Sequence, residues 1–144
     1  MLLSTPSAEL TKPLRQQSVI LLVDDDTAVR ELLRMALTQR GFQVHACADS
    51  GHALELAQRL AVPPDLLVSD VDLGGLSGPD MAAQLQSSFP ALKILFVSGY
   101  PSVIARTVAT STAAATLRQA TWLAKPFSMQ KLFQQVDQTL AQKS

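Results

Sequence analysis

Five apolar runs of strand length, each followed by a segment with helical spacing, set the narrowest limit on how this chain folds. "SVILLV" (18–23) stops at three aspartates and leads into "TAVRELLRMALTQRG". There Val29, Leu32, Leu33, Ala36 and Leu37 recur at helical spacing, and Gly41 predicts the stop. "FQVHAC" (42–47) alternates as a short strand, and "SGHALELAQRLA" (50–61) is a helix opened by Ser50 and ended ahead of Pro63 and Pro64. "DLLVSD" (65–70) precedes "GPDMAAQLQSSF" (78–89), with Pro79 in its first turn. "LKILFVS" (92–98) is the fourth strand, and "PSVIARTVATSTAAATLRQA" (101–120) has helical spacing at Ile104, Val108 and Leu117 despite many Thr, a weak helix former. "TWLAK" (121–125) is a fifth strand, and "SMQKLFQQVDQTLAQ" (128–142) a last helix with Leu132, Phe133, Val136 and Leu140 inward. Strict alternation of this kind predicts an α/β protein: a doubly wound, parallel five-stranded sheet with helices on both faces.

The length, 144 residues, suits one domain with one full core. Residues 1–17 are polar, carry two prolines and show no sustained period, so they read as a mobile tail. Net charge is zero, with 12 basic and 12 acidic residues, which argues against a nucleic-acid or anionic-membrane footprint. The longest apolar run, "VILLV", cannot span a bilayer. The N-terminus lacks the apolar core of a signal peptide. A lone cysteine, Cys47, excludes an internal disulfide and fits a reducing compartment, so the expected location is cytoplasmic.

The acids are unevenly spread. Nine of the twelve are Asp, and five of those nine are Asp24, Asp25, Asp26, Asp70 and Asp72. In a parallel α/β sheet ligands bind at the carboxyl ends of the strands. Those ends carry Asp24–Asp26 after strand one, Asp70 after strand three, Ser98 after strand four and Lys125 after strand five. Two carboxylates a few ångströms apart repel by about 3–4 kcal/mol at an effective dielectric near 20. One lysine cannot balance three of them, so either protons or a cation must. Hard oxygen donors without a His or Cys set point to Mg2+. A carboxylate beside such an ion can act as nucleophile toward phosphorus, with Lys125 and the Ser98 hydroxyl supplying a cation and a donor to the phosphoryl oxygens.

"ILLVDDDTAVR", "DLLVSDVDLGGLSG", "ILFVSG" and "WLAKPF", in this order, closely resemble the receiver domain of two-component response regulators, over about residues 18–142. The resemblance implies a flavodoxin-like (βα)5 domain, phosphorylated by a histidine kinase or histidine phosphotransfer protein. It implies Asp70 as phosphoryl acceptor, Asp25 as a direct metal ligand and Asp24 as the second acid, acting through water. Asp72 sits where the family places a backbone carbonyl on the Mg2+. Ser98 matches the switch hydroxyl, Lys125 the phosphate-contacting lysine, Trp122 the aromatic switch position, and Lys125–Pro126 the family's cis peptide. The output surface implied is the face of helix four, strand five and helix five, for a downstream protein partner. "VSGY" and "GLSGPDM" resemble receivers attached to hybrid sensor kinases, and the chain is expected to be a stand-alone receiver that catalyses only its own phosphorylation and dephosphorylation.

Three positions depart from the family pattern: Gly74 replaces a proline, Trp122 is larger than the usual Tyr or Phe, and the interval from Ser98 to Lys125 is long and lacks the usual Gly-Ala. Two other readings use the same residues. One is a receiver-like docking module that signals without phosphorylation. The other is an Asp-nucleophile phosphatase of the haloacid-dehalogenase type, which "SDVDLGG" resembles and in which Asp72 would be the general acid/base. Outside the site, Asp26 is expected to cap the first helix, Cys47 to pack, and His45 and His52 to be ordinary strand or surface residues.

Overall fold

Strand β1 (Val19–Val23) is apolar at every position because it is covered on both sides, and all five of its residues are buried. The computed structural model describes residues 18–73, 76–99 and 119–142. The expected N-terminal tail, Gly74, and all but the last two residues of the helix expected over 101–120 lie outside these. The elements are β1, α1 (Thr27–Gln39), β2 (Gln43–Cys47), α2 (Ser50–Arg59), β3 (Leu66–Asp70), α3 (Gly78–Ser88), β4 (Lys93–Ser98), β5 (Thr121–Ala124) and α4 (Met129–Leu140). With helix four of the sequence-based count outside the described residues, α4 here is the helix that count numbered five.

The strands form one parallel sheet in the order β2-β1-β3-β4-β5. Alternate side chains of each strand feed opposite faces. Ile20, Leu22, Leu66, Val68, Leu95 and Val97 meet Leu33 and Leu37 of α1 and Leu132 and Val136 of α4. Leu21, Val23, Leu67, Ile94 and Phe96 meet Ala53 and Ala57 of α2 and Met81, Ala82 and Leu85 of α3. The edge strands are less covered: β2 has no fully buried residue, and in β5 Leu123 alone is buried.

Local chemistry sets the boundaries. Asp26 caps α1, its Oδ1 accepting from the Ala28 and Val29 N–H groups, and Gly41 leaves the helix at φ 103°, a conformation that favours glycine. Ser77 and Ser128 cap α3 and α4. Two expectations are corrected. Leu32 is 56 % exposed, because helical stepping of about 100° puts it beside, not on, the stripe that Leu33 and Leu37 share. Ser50 is not the cap of α2: Asp49 is, accepting from the His52 N–H at 2.8 Å, while the buried Ser50 hydroxyl donates to the Leu76 carbonyl. That bond ties the start of α2 to the loop that follows Asp70.

Asp65 closes the opposite edge. Its carboxylate accepts from the Val19 N–H at 2.8 Å, and its carbonyl accepts from the Lys93 N–H at 3.0 Å, so one residue aligns the starts of β1 and β4 on either side of β3. The carboxyl ends of β1 and β3 are thereby brought level.

Candidate functional site

Asp24 follows β1 directly and is 1 % exposed. Its N–H donates to the Cys47 carbonyl at 3.2 Å, and its Oδ1 accepts from the Asp26 N–H at 2.9 Å. Asp25, the next residue, is exposed, and Asp70, the last residue of β3, is half-buried. Asp24, Asp25 and Asp70 each offer a carboxylate oxygen within 4.8 Å of the others. The topology explains the meeting: β1 and β3 are neighbours in register, with Val23 opposite Ser69, so the residues that follow the pair emerge side by side.

Lys125 arrives from the far edge of the sheet. Its Nζ stands 3.7 Å from Asp70 Oδ2 and 3.9 Å from Asp24 Oδ2. Both distances are beyond hydrogen-bonding range, so the ammonium is shared between the two acids and committed to neither. Its backbone N–H donates to the Ser98 carbonyl at 2.8 Å, and the Lys125–Pro126 peptide is cis. Ser98 is buried and, with Asp25, Asp70, Asp72, Gly99, Lys125 and Pro126, lines one open pocket. Asp72 enters it differently from the other acids. Its side chain is exposed and outside the carboxylate cluster, and its backbone N–H donates to Asp70 Oδ1 at 3.3 Å.

The electrostatics follow from burial. Asp24 is raised above the ordinary carboxylate value of 3.8, first because it is desolvated, and further by the charges of Asp70 and Asp25; the Asp26 N–H and Lys125 oppose this. Asp70 is raised above the same value, again first by burial and then by Asp25, with Lys125 and the Asp72 N–H pulling it down. Raised carboxylates beside one lysine are short of positive charge. Three hard oxygen donors of this kind fit Mg2+ better than a transition metal.

Sequence reasoning had named the acids, Ser98, Lys125 and Pro126, but not Gly99, and it missed two further residues that shape the pocket. The first is Gly78, at the start of α3. A Cβ there would lie inside contact distance of the Asp70 carbonyl oxygen and 3.1 Å from Val71 Cα, so only glycine lets α3 start against the end of β3. The second is Arg30, whose Nη1 donates to the Asp24 carbonyl at 2.7 Å. The only signal for Gly78 was its place between a cap and a proline. For Arg30 the signal was its place one helical turn beyond Asp26. Trp122, on β5, is half-buried and stacks on Phe96 of β4, with ring centroids 4.9 Å apart and planes tilted by 37°. His45 is half-buried in β2, and the exposed His52 ring meets its own helix cap, Asp49, at 2.9 Å.

Comparison with known proteins supplies the class. The response regulator receiver domain model matches residues 20–137, and the chain belongs to that family. It is 34% identical over 133 residues to sensor kinase CckA of Brucella abortus (strain 2308), covering 92% of this chain and 13% of that protein. It is 37% identical over 117 residues to response regulator MprA of Mycobacterium leprae (strain TN), covering 81% of this chain and 48% of that protein. The chain thus spans less than half the length of these relatives. Among solved structures, the receiver domain of the hybrid histidine kinase CckA superimposes with a TM-score of 0.69 at 32% identity, covering 85% of this chain and 99% of that one. The chemotaxis response regulator CheY4 of Vibrio cholerae shares the fold, with a TM-score of 0.71 at 23% identity over 85% of this chain and 98% of its own. The flavodoxin-like α/β fold and the two-component, phosphoryl-accepting class follow from these matches. Among the described residues no helix is long and apolar enough to cross a membrane.

Proposed function

We propose that this domain is a switch in a two-component phosphorelay, with Asp70 accepting a phosphoryl group from a histidine kinase or histidine phosphotransfer protein. The observation that carries this reading is the convergence of Asp24, Asp25 and Asp70 within 4.8 Å, with the Lys125 ammonium 3.7 Å from the acceptor. An Asp70 carboxylate oxygen attacks the phosphorus of a phosphohistidine. The O–P bond forms as the P–N bond breaks, and the imidazole nitrogen keeps the electron pair. Asp24, Asp25 and Asp70, with the main chain at Asp72, would hold Mg2+. That ion, when bound, neutralises the carboxylates and the incoming phosphoryl oxygens.

Lys125 and Ser98 then act on the phosphorylated form. An ammonium shared loosely between two carboxylates is available to a phosphoryl oxygen once Asp70 carries the phosphoryl group as an acyl phosphate, and the Ser98 hydroxyl donates to a second. The hydrogen bond from the Lys125 N–H to the Ser98 carbonyl couples the two residues, so displacement of one is carried to the other. Trp122 lies two residues before Ala124, which pairs with Ser98, and stacks on Phe96; the change passes to the side of the sheet formed by β5 and α4, where a downstream protein binds. On this reading the domain works in the cytoplasm, binds neither nucleic acid nor membrane, and turns over no metabolite.

The test is intact mass after incubation with Mg2+ and either an acyl-phosphate or a phosphohistidine donor, on the wild type and on Asp70→Asn. The expected result is a gain of one phosphoryl group that is lost in the variant and on chelation. No gain from either donor, with Mg2+ still bound, would replace this reading with phosphorylation-independent docking. Sustained hydrolysis of phosphate esters would replace it with a phosphatase.

A further inference from the structure

Asp24 is fixed at each of its backbone polar atoms and at one carboxylate oxygen. The bond from its N–H to the Cys47 carbonyl prolongs the β1–β2 pairing by one residue, and the bond from the Asp26 N–H to Oδ1 belongs to the turn. The third is of another kind. The Asp24 carbonyl lies where β1 has ended, beyond the last β1–β3 register pair, and it accepts from Arg30 Nη1 at 2.7 Å. A carbonyl at a buried residue needs a partner, and a guanidinium makes a short, charge-assisted bond to it. Arg30 sits on α1, four residues after the Asp26 cap. It braces Asp24 from α1, while Lys125 faces the carboxylates from the end of β5.

We propose that Arg30 is a positioning residue for the acidic cluster: by clamping the Asp24 carbonyl to α1, it fixes the direction of the Asp24 carboxylate and the placement of Asp25 beside it for cation binding. This rests on the reading that the cluster holds Mg2+. The guanidinium has two opposed effects on a cation. Its charge repels the ion, so a purely electrostatic role predicts tighter Mg2+ binding when Arg30 is neutralised. Its clamp pre-sets the ligands, so a positioning role predicts weaker binding; groups that orient metal ligands typically change affinity by about 10–100-fold. The sign of the change separates the two.

Mg2+ binding to the full chain, measured by calorimetry, supplies the test for the wild type, Arg30→Met and Arg30→Lys, with thermal unfolding of each protein without metal. Arg30→Met is expected to weaken Mg2+ binding by about tenfold. Arg30→Lys keeps the charge, but its shorter side chain does not reach as far as Nη1, and it should fall between Arg30→Met and the wild type. The loss in phosphoryl acceptance should be larger at limiting than at saturating Mg2+, because the residue acts through the ligands of the cation. An Arg30→Met protein that binds Mg2+ as tightly as the wild type, or more tightly, overturns the proposal whatever its melting temperature. Should Arg30→Met fail to fold, Arg30→Lys decides alone, and affinity equal to wild type overturns the clamp. A wild type that binds no Mg2+ removes both this proposal and the metal reading beneath it.

Discussion

The ammonium of Lys125 stands 3.7 Å from Asp70 Oδ2, near enough to offset its charge and too far to hydrogen-bond it. A cation held this way competes with a metal ion in the resting state and stabilises a phosphoryl group in the reacting one. The same side chain should therefore oppose Mg2+ binding and favour transfer.

Lys125→Met separates these effects. Removing one positive charge at about 4 Å in a solvent-accessible pocket is worth about 1 kcal/mol, so Mg2+ should bind roughly fivefold more tightly. Phosphoryl acceptance from an acyl-phosphate donor should slow by about 100-fold, the usual cost of losing one preorganised electrostatic contact. Calorimetry and a time course of intact mass would read the two changes. A fall in both affinity and rate would contradict the shared-ammonium picture.

The pH dependence of stability follows from Asp24 and Asp70. Both carboxyls are raised above 3.8 by burial in the fold, so the folded protein holds their protons more tightly than the unfolded chain does. The sign is fixed by linkage: their contribution favours the folded state below the ordinary carboxylate value and is lost as pH rises through the raised values. Without metal, the wild type should lose stability relative to Asp24→Asn and Asp70→Asn as pH climbs above 3.8. Saturating Mg2+ should reverse the trend, because it favours the ionised forms. Melting temperatures across that range, with and without Mg2+, would show this, and a wild-type advantage growing with pH in the absence of metal would refute it.

Gly78→Ala places a methyl group against the Asp70 carbonyl oxygen and the Val71 backbone, neither of which is a flexible side-chain end. The strain is expected to cost about 1–3 kcal/mol in denaturant unfolding. Because the clash falls on the backbone of the acceptor itself, phosphoryl acceptance should drop as well, even at temperatures where the variant is fully folded.

Asp26→Ala tests whether the third acid of the Asp24–Asp26 run belongs to the helix or to the site. Its Oδ1 accepts from Ala28 and Val29, while the group it lends to Asp24 is its backbone N–H, which alanine keeps. The loss should be about 1 kcal/mol of stability, as for other N-caps, with Mg2+ affinity changed by less than about twofold. A large fall in affinity would move Asp26 into the metal site.

What the sequence determined by itself is whatever depends on spacing along the chain. Apolar periodicity gave the order of strands and helices, because burial on one face or two demands it. The acids that stop "VILLV" and end "DLLVSD" marked one sheet edge, since alternating parallel strands put their carboxyl ends together. Caps such as Asp26, Ser77 and Ser128 act within a few residues, and Asp26 was legible for that reason. Tertiary structure decided the contacts whose partners are set by helix rotation and loop course. Ser50 looks like a cap, yet its hydroxyl reaches Leu76, 26 residues away, because Asp49 takes the cap and turns Ser50 inward. Thr139, a polar residue that sequence reasoning does not single out, is fully buried and meets the Thr121 hydroxyl at 2.6 Å, joining α4 to β5. Gly78 matters through the approach of one backbone to another, and Arg30 through a carbonyl that its helix happens to face. Periodicity records which way a side chain points, not which group it meets, and that meeting is settled when strands and helices pack.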